Sequence, residues 1–295
     1  MKAIAILIGL GPLLGWGLFP TIASKIGGKP TNQIFGATAG TFILGLVFAI
    51  VNGIPLPTGS ALIFSIISGI GWSCAEIVTF ITFGMIGSSR AMPVTTAFQL
   101  LGASLWGVFY LGDWPGISAK IIGGLALLAI IIGAYMTVWS EKKTSEKSSV
   151  LRKAVILLAI GEIGYWAYSA APQAAHIDGM HAFLSQSLGM LLIGILYGIF
   201  MSIKNKEKSS LKEIVSYKQI IAGFFFGFGA LTYLVSAQPD MNGLATGFVL
   251  SQTSVILATL TGIWFLGQKK TKKEMTVTVI GLVIIVVAAA VTEFI

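Results

Sequence analysis

The sequence predicts an all-α membrane protein of ten transmembrane helices arranged as two inverted five-helix repeats. Three observations carry this prediction. Of 295 residues, 55% are hydrophobic and only 10% are charged, against roughly 25% charged in an ordinary soluble domain. At roughly 20 apolar residues per crossing, the apolar stretches supply about ten crossings and leave no aqueous domain of useful size. The basic residues fall in alternate connections, and short motifs recur in the same order in the two halves.

Polar and helix-breaking punctuation places each span in turn. The first, 3–24, runs from Lys2 to Lys25, and the second, 32–51, from Lys29-Pro30 to Asn52-Gly53. The third, 60–85, opens after Pro55-Leu56-Pro57, and the fourth, 91–111, lies between Arg90 and Gly112-Asp113. The fifth, 118–139, follows Trp114-Pro115-Gly116 and stops before Glu141. The sixth, 152–172, ends at Pro172, and the seventh, 180–203, lies between Asp178 and Lys204. The eighth, 217–237, stops before Gln238-Pro239-Asp240. The ninth, 244–266, follows Asn242-Gly243, and the tenth, 275–294, follows Lys272-Lys273-Glu274. The first span, with Lys2 before an apolar run, has some features of a signal peptide, but it is too long and too rich in Gly and Trp for one.

Charge sets the orientation. Of the 19 Lys and Arg, all but Lys2 and Lys120 lie in the first, third, fifth, seventh and ninth connections: Lys25 and Lys29; Arg90; Lys142 to Lys153; Lys204 to Lys218; Lys269 to Lys273. The positive-inside rule puts these connections in the cytoplasm and both termini outside it. The net charge of +8 is thereby explained by topology rather than by nucleic-acid binding.

The polar run Glu141 to Lys153 joins the halves, giving a first repeat over 1–140, a cytoplasmic linker over 141–153 and a second repeat over 154–295. Five helices per repeat invert the second copy. GWGLFP ending at Pro20 is paired with AYSAAP ending at Pro172, GIG at Gly69 to Gly71 with GFG at Gly227 to Gly229, and WGVFYLG ending at Gly112 with TGIWFLG ending at Gly267, at offsets of 152, 158 and 155. Inverted repeats are common in secondary transporters, where two halves rock about a midplane site. The pairs Gly36/Gly40 and Gly223/Gly227 read as close helix contacts.

Among the acidic residues only Glu76 and Glu162 fall well inside a span, and no Lys, Arg or His does. A carboxylate at membrane depth without a cation is costly unless it is protonated or faces a wet cavity, so both are candidate proton carriers. Thr95, Thr96 and Gln99 share a face of the fourth helix. Gln252 interrupts an apolar run of the ninth. Amides both donate and accept, which suits a neutral polyhydroxylated ligand. Trp16, Trp72, Tyr165, Trp166 and Tyr168 lie within spans, where an aromatic face either packs in the core or stacks on a sugar ring. Trp114 and Trp139 read as interface anchors.

His176, His181 and Asp178 lack a convincing metal spacing. The sequence has no phosphate-binding G-x-x-x-x-G-K-[ST], since Gly28-Lys29 is followed by Pro30, and no H-E-x-x-H or G-x-S-x-G. ATP-driven pumping and common hydrolytic chemistries lose their support, and no cofactor or metal is expected. The single cysteine, Cys74, excludes an internal disulfide.

TNQIFGATAG (Thr31 to Gly40), SSRAMPVTTAFQLLG (Ser88 to Gly102) with FYLGDW (Phe109 to Trp114), GYWAYSAAP (Gly164 to Pro172), IDGMHAFLSQSLGM (Ile177 to Met190) and the stretch Leu244 to Glu274 cover both halves. Together they resemble the bacterial glucose/ribose uptake family of the drug/metabolite transporter superfamily. The resemblance implies ten helices, inverted five-helix repeats of the EamA type and proton-coupled monosaccharide uptake across the bacterial plasma membrane. The expected function is therefore import of a neutral monosaccharide by proton symport with alternating access. Glu162 and Glu76 are expected to carry protons. Gln99, Gln252, Thr95, Thr96, Gln186 and Asn32 are expected to contact sugar, with Trp16, Trp166 and Tyr168 walling the cavity. The alternatives are a metabolite exporter of the wider superfamily, a membrane-embedded enzyme acting on lipid or sugar-lipid, and a membrane assembly protein. Export is distinguished by the direction and identity of the solute, and the enzyme by a chemically altered product.

Overall fold

Helices begin where the sequence relieves the unpaired amides of a first turn. Pro30 sits at the first helical position, where a missing N–H costs nothing. Asp178 accepts from the amides of Met180 and His181, and Thr271 with Glu274 forms a reciprocal capping box. The computed structural model describes residues 2–141, 145–206 and 208–295, and among them no strand occurs. Lys142 and Lys143, which contribute to the charge pattern of the central connection, lie outside the described residues.

Among the described residues, ten helices are long and apolar enough to cross a membrane: α1 Ala3–Ile26, α2 Pro30–Asn52, α3 Gly59–Ile86, α4 Ser88–Tyr110, α5 Ile117–Val138, α6 Lys147–Ala174, α7 Gly179–Asn205, α8 Ile214–Ser236, α9 Thr246–Phe265 and α10 Lys272–Glu293. The chain is a multi-pass, all-helical membrane protein. Outward-facing Ile43, Val47, Ile50, Ile121, Leu125, Leu128, Ile160 and Ile163 are exposed and large, a surface that requires an apolar solvent.

Most helices run further than their apolar stretches. Helix α6 is continuous with Ser145, so most of the segment read from sequence as a linker is helical. Its Lys147, Arg152 and Lys153 are sound helix formers and project the helix beyond the apolar region. Four spans are locally irregular: α1 turns at Leu10 ahead of Pro12, α4 ends in a widened turn over Gly107–Leu111, α8 breaks at Gln219, and α9 breaks at Thr253. Trp114 is no lipid-facing anchor. It is buried, its ring lies over Gly123, and its indole N–H donates to the Thr292 carbonyl. Trp139 does lie at a helix end, under the Lys273 ammonium at 5.6 Å.

Helix α3 packs on α6 and α7, and α8 packs on α1 and α2. Further contacts join α1 to α9 and α4 to α6, while α2 meets α7, α4 meets α9, and α5 meets α10. Small residues permit these crossings. A Cβ on Gly15 would come 2.5 Å from the Cα of Gly229, and one on Gly164 would come 2.3 Å from the Gly71 carbonyl oxygen. The Gly36/Gly40 and Gly223 surfaces meet in the same way between α2 and α8.

Candidate functional site

Glu76 and Glu162 share a neighbour, Tyr165, because α3 and α6 approach at glycines. Gly161 and Gly164 flank Glu162, with Gly161 facing Val78 and Gly164 facing Gly71. That approach places Tyr165, one turn beyond Glu162, against Glu76 and Thr79 of α3. The Tyr165 hydroxyl donates to Glu76 Oε2. Thr79 Oγ1 lies 3.1 Å from the Tyr165 oxygen and also donates to the Ala75 carbonyl at 3.1 Å.

The carboxyls are sealed from both surfaces, Glu76 being 4% and Glu162 1% exposed. Their hydrogen-bonding is incomplete. Glu76 Oε1, both oxygens of Glu162 and Thr95 Oγ1 are buried without a hydrogen-bond partner. Thr95, on α4, is a polar neighbour of Glu162. Such buried acceptors are costly unless a proton or a ligand hydroxyl engages them. The cluster joins α3, α4 and α6, and its five side chains offer only oxygen. The basic residues of these three helices lie toward their ends: Arg90 in the first turn of α4, and Lys147, Arg152 and Lys153 early in α6.

The other polar residues fall into distinct settings. Gln99 lies one turn beyond Thr95 and is partly exposed, while Thr96 is buried beside it. Gln252 stands at the break of α9, partly exposed, with its amide donating to Ser251 Oγ at 3.2 Å. Gln186 of α7 donates to Ser68 Oγ at 2.9 Å, and Ser68 donates to the Tyr168 carbonyl at 2.7 Å.

Asn32 lies away from the carboxyls, at the start of α2. It accepts from the Lys29 amide and donates to Glu213 and Ser216, tying α2 to the beginning of α8. Its amide protons are thus both engaged in joining helices.

The aromatic residues also separate. Trp16 is part-buried, donates to the Phe226 carbonyl at 3.1 Å, and has ring centroids 6.3 Å from Phe226 and 5.8 Å from Tyr233. Tyr168 packs on the same core. Trp166 does not join them. It is 42% exposed and lies across α4 at Gly102, with its N–H toward the Phe98 carbonyl. Adjacent residues of a helix point about 100° apart, so Tyr165 and Trp166 cannot line one cavity together.

Two contributors, Tyr165 and Thr79, were not among the candidates drawn from sequence. Their signal is a shared spacing: Glu76 and Thr79 on α3, and Glu162 and Tyr165 on α6, are each three residues apart and therefore share a helix face.

Ten membrane helices, three of them meeting at an oxygen-lined polar cluster, are an architecture that suits a membrane transporter. The family model described as sugar transport protein matches residues 7–295, and the chain belongs to that family; it is a transporter rather than an enzyme. A protein of Enterococcus faecalis is 68% identical over 295 residues, covering 100% of both chains. A protein of Lactobacillus johnsonii is 70% identical over 293 residues, covering 99% of both. One from Staphylococcus aureus is 63% identical over 295 residues, covering 100% of both. All three carry, as a provisional assignment, the name ribose uptake protein RbsU. A solved structure titled only as a crystal structure of a protein matches with TM-score 0.63 at 17% identity, over 99% of this chain and 98% of the other, which supports the fold alone.

Proposed function

We propose that this protein imports a neutral monosaccharide, ribose or a close relative, across the bacterial plasma membrane by proton symport. The observation that carries the reading is the buried pair Glu76 and Glu162, with unpartnered acceptor oxygens at membrane depth. A carboxyl that alternates between protonated and ionised forms needs such a setting, where the charged form is tolerated only at one point of a cycle. The relatives' names make ribose the first sugar to test.

Sugar contacts are assigned to the partly exposed polar and aromatic residues around the carboxyls, namely Gln99, Gln252, Trp16 and Tyr168. Helix α4 then couples the two sets, since Thr95 faces Glu162 and Gln99 lies one turn away. Alternating access by two inverted halves is supported by the packing. Advancing every helix by five positions exchanges α3 on α6 with α8 on α1, α3 on α7 with α8 on α2, and α1 on α9 with α6 on α4. The charge asymmetry supports cytoplasmic first, third, fifth, seventh and ninth connections and external termini.

The test is uptake of labelled ribose and glucose into proteoliposomes, with and without an imposed pH gradient. Accumulation above the equilibrium level, only with the gradient inward for protons, is the expected result. Equilibration without accumulation replaces symport by facilitated diffusion, and absence of any sugar flux overturns the reading.

A further inference from the structure

The two carboxyls occupy unequal settings, and the inequality comes from one side chain. Tyr165 gives its only hydroxyl proton to Glu76 Oε2. Thr79 stands behind it, donating to the Ala75 carbonyl with its Oγ1 3.1 Å from the Tyr165 oxygen, and once the Tyr165 proton points to Glu76 only Thr79 can donate into that contact. Thr79 therefore biases Tyr165 toward acting as donor to Glu76. Glu162 has no phenol against it: its neighbour is the Thr95 hydroxyl, a weaker acid, and neither Glu162 oxygen nor Thr95 Oγ1 makes a hydrogen bond in this geometry.

We infer that in this conformation Glu162 carries a proton, and that Tyr165 and Thr79 are positioning residues that keep Glu76 as the carboxylate. This deepens the proton-symport reading and rests on it only for its role in transport.

Chemistry and geometry select this arrangement over its reverse. A proton on Glu162 has an acceptor at hand in Thr95, which leaves one carboxyl oxygen without a partner and removes the charge. An ionised Glu162 at 1% exposure would instead rely on the Thr95 hydroxyl and would leave its other oxygen empty with the charge still buried, an expensive state for such a group. On Glu76 the negative charge meets a charge-assisted hydrogen bond from a phenol. No closer cation competes for that role on these helices. Along α6, Arg152 and Lys153 precede Glu162 by nine residues or more, about 13 Å at 1.5 Å per residue, and the basic residue of α4, Arg90, lies in its first turn. The remaining titratable groups on α3 and α6 are Cys74 and Tyr168, which engage neither carboxyl by any hydrogen bond.

Infrared spectroscopy of the purified protein in lipid nanodiscs near neutral pH tests the assignment, because a protonated carboxyl has a carbonyl stretching band that a carboxylate lacks. No sugar is needed, so the result is independent of whether uptake is observed. The wild type should show one buried protonated-carboxyl band, lost in Glu162→Gln and retained in Glu76→Gln. Tyr165→Phe should add a second band, since Glu76 then loses its donor. A band lost in Glu76→Gln, whether alone or as one of two in the wild type, overturns the assignment. An unchanged spectrum in folded Tyr165→Phe removes Tyr165 from the role. Should Tyr165→Phe fail to fold, the comparison of the two Gln variants still decides where the proton resides.

Discussion

Ser68 donates its hydroxyl proton to the Tyr168 carbonyl oxygen at 2.7 Å, binding α3 to α6. A second bond between the halves runs from Trp16, which donates to the Phe226 carbonyl at 3.1 Å and binds α1 to α8. The two bonds occupy matching places in the repeated motifs. Tyr168 lies as far before Pro172 as Trp16 before Pro20, and Ser68 immediately precedes Gly69 as Phe226 precedes Gly227. Both bonds run from the first half to the second, and the same two motif positions are paired in each with donor and acceptor exchanged, a pairing that the proposed pseudo-two-fold relation of the halves accounts for.

Ser68 also accepts from Gln186 at 2.9 Å, so Ser68→Ala breaks two bonds and strands a buried amide. The expected cost is about 1 to 3 kcal/mol, read as a lowered unfolding temperature in detergent. In the double variant Ser68→Ala with Gln186→Leu, the added loss should be smaller than that of Gln186→Leu alone, because the partner is already gone. Strict additivity of the two would mean that the bond contributes nothing.

Gly164→Ala tests the crossing that assembles the site. Its Cβ would stand 2.3 Å from the Gly71 carbonyl oxygen, and backbone cannot yield as a flexible side chain does. Overpacking of this kind costs roughly 1 to 3 kcal/mol. Gly84→Ala, where nothing lies within 4 Å of the added carbon, should leave stability within the usual range of a surface change. The contrast is checked by thermal unfolding of both variants, and equal behaviour would refute the close crossing.

Much of this arrangement is legible in the sequence. Ten spans follow from hydropathy, and Glu76 and Glu162 stand out because carboxyls are rare at membrane depth. Less legible was the placing of both carboxyls about Tyr165 where α3 crosses α6, because periodicity reports one helix at a time. Tyr165 was noticed as an aromatic inside a span, but only the crossing distinguishes a phenol donating to Glu76 from one packed in the core. Asn32 looked like a cavity amide, yet helix α2 starts two residues earlier than the apolar stretch suggests, and its side chain serves that helix start.

Gln99→Ala and Gln252→Ala should each weaken sugar binding by roughly 0.5 to 1.5 kcal/mol if one ordinary hydrogen bond is lost, with near-normal expression. Both side chains are partly exposed, so truncation opens little apolar cavity. The measurement is equilibrium binding of labelled ribose to the purified variants. Unchanged affinity in both would return these amides to helix packing.

Lys270, between α9 and α10, carries a pH signature outside the membrane. Burial, reinforced by repulsion from Arg90 and opposed by Glu274, lowers its pKa from 10.5 to about 8, while its ammonium donates to the Thr137 carbonyl at 2.6 Å. Between about pH 8 and 10.5 the unfolded chain therefore binds more protons at this position than the folded one. This residue's contribution to stability consequently rises with pH across that window. Amine acylation followed by mass spectrometry should give Lys270 a half-maximal normalised rate near pH 8. A profile coinciding with that of exposed Lys272 would show that burial does not perturb it.

The coupling prediction places the greatest demand on the carboxyl pair. Glu162→Gln keeps a neutral side chain of similar shape, so it imitates the protonated acid while removing any proton to release. If discharge of Glu162 accompanies sugar release to the cytoplasm, the variant should still bind ribose and exchange labelled for unlabelled sugar across a vesicle membrane. Exchange needs no net proton movement. Gradient-driven accumulation, which does, should disappear. Glu76→Gln should be milder, since the amide can still accept from Tyr165 and no proton is lost if Glu76 remains the carboxylate. Full accumulation in Glu162→Gln together with its loss in Glu76→Gln would exchange the two roles. If neither variant alters the response to a pH gradient, these carboxyls do not couple the proton, and their buried oxygens must be explained by helix association alone.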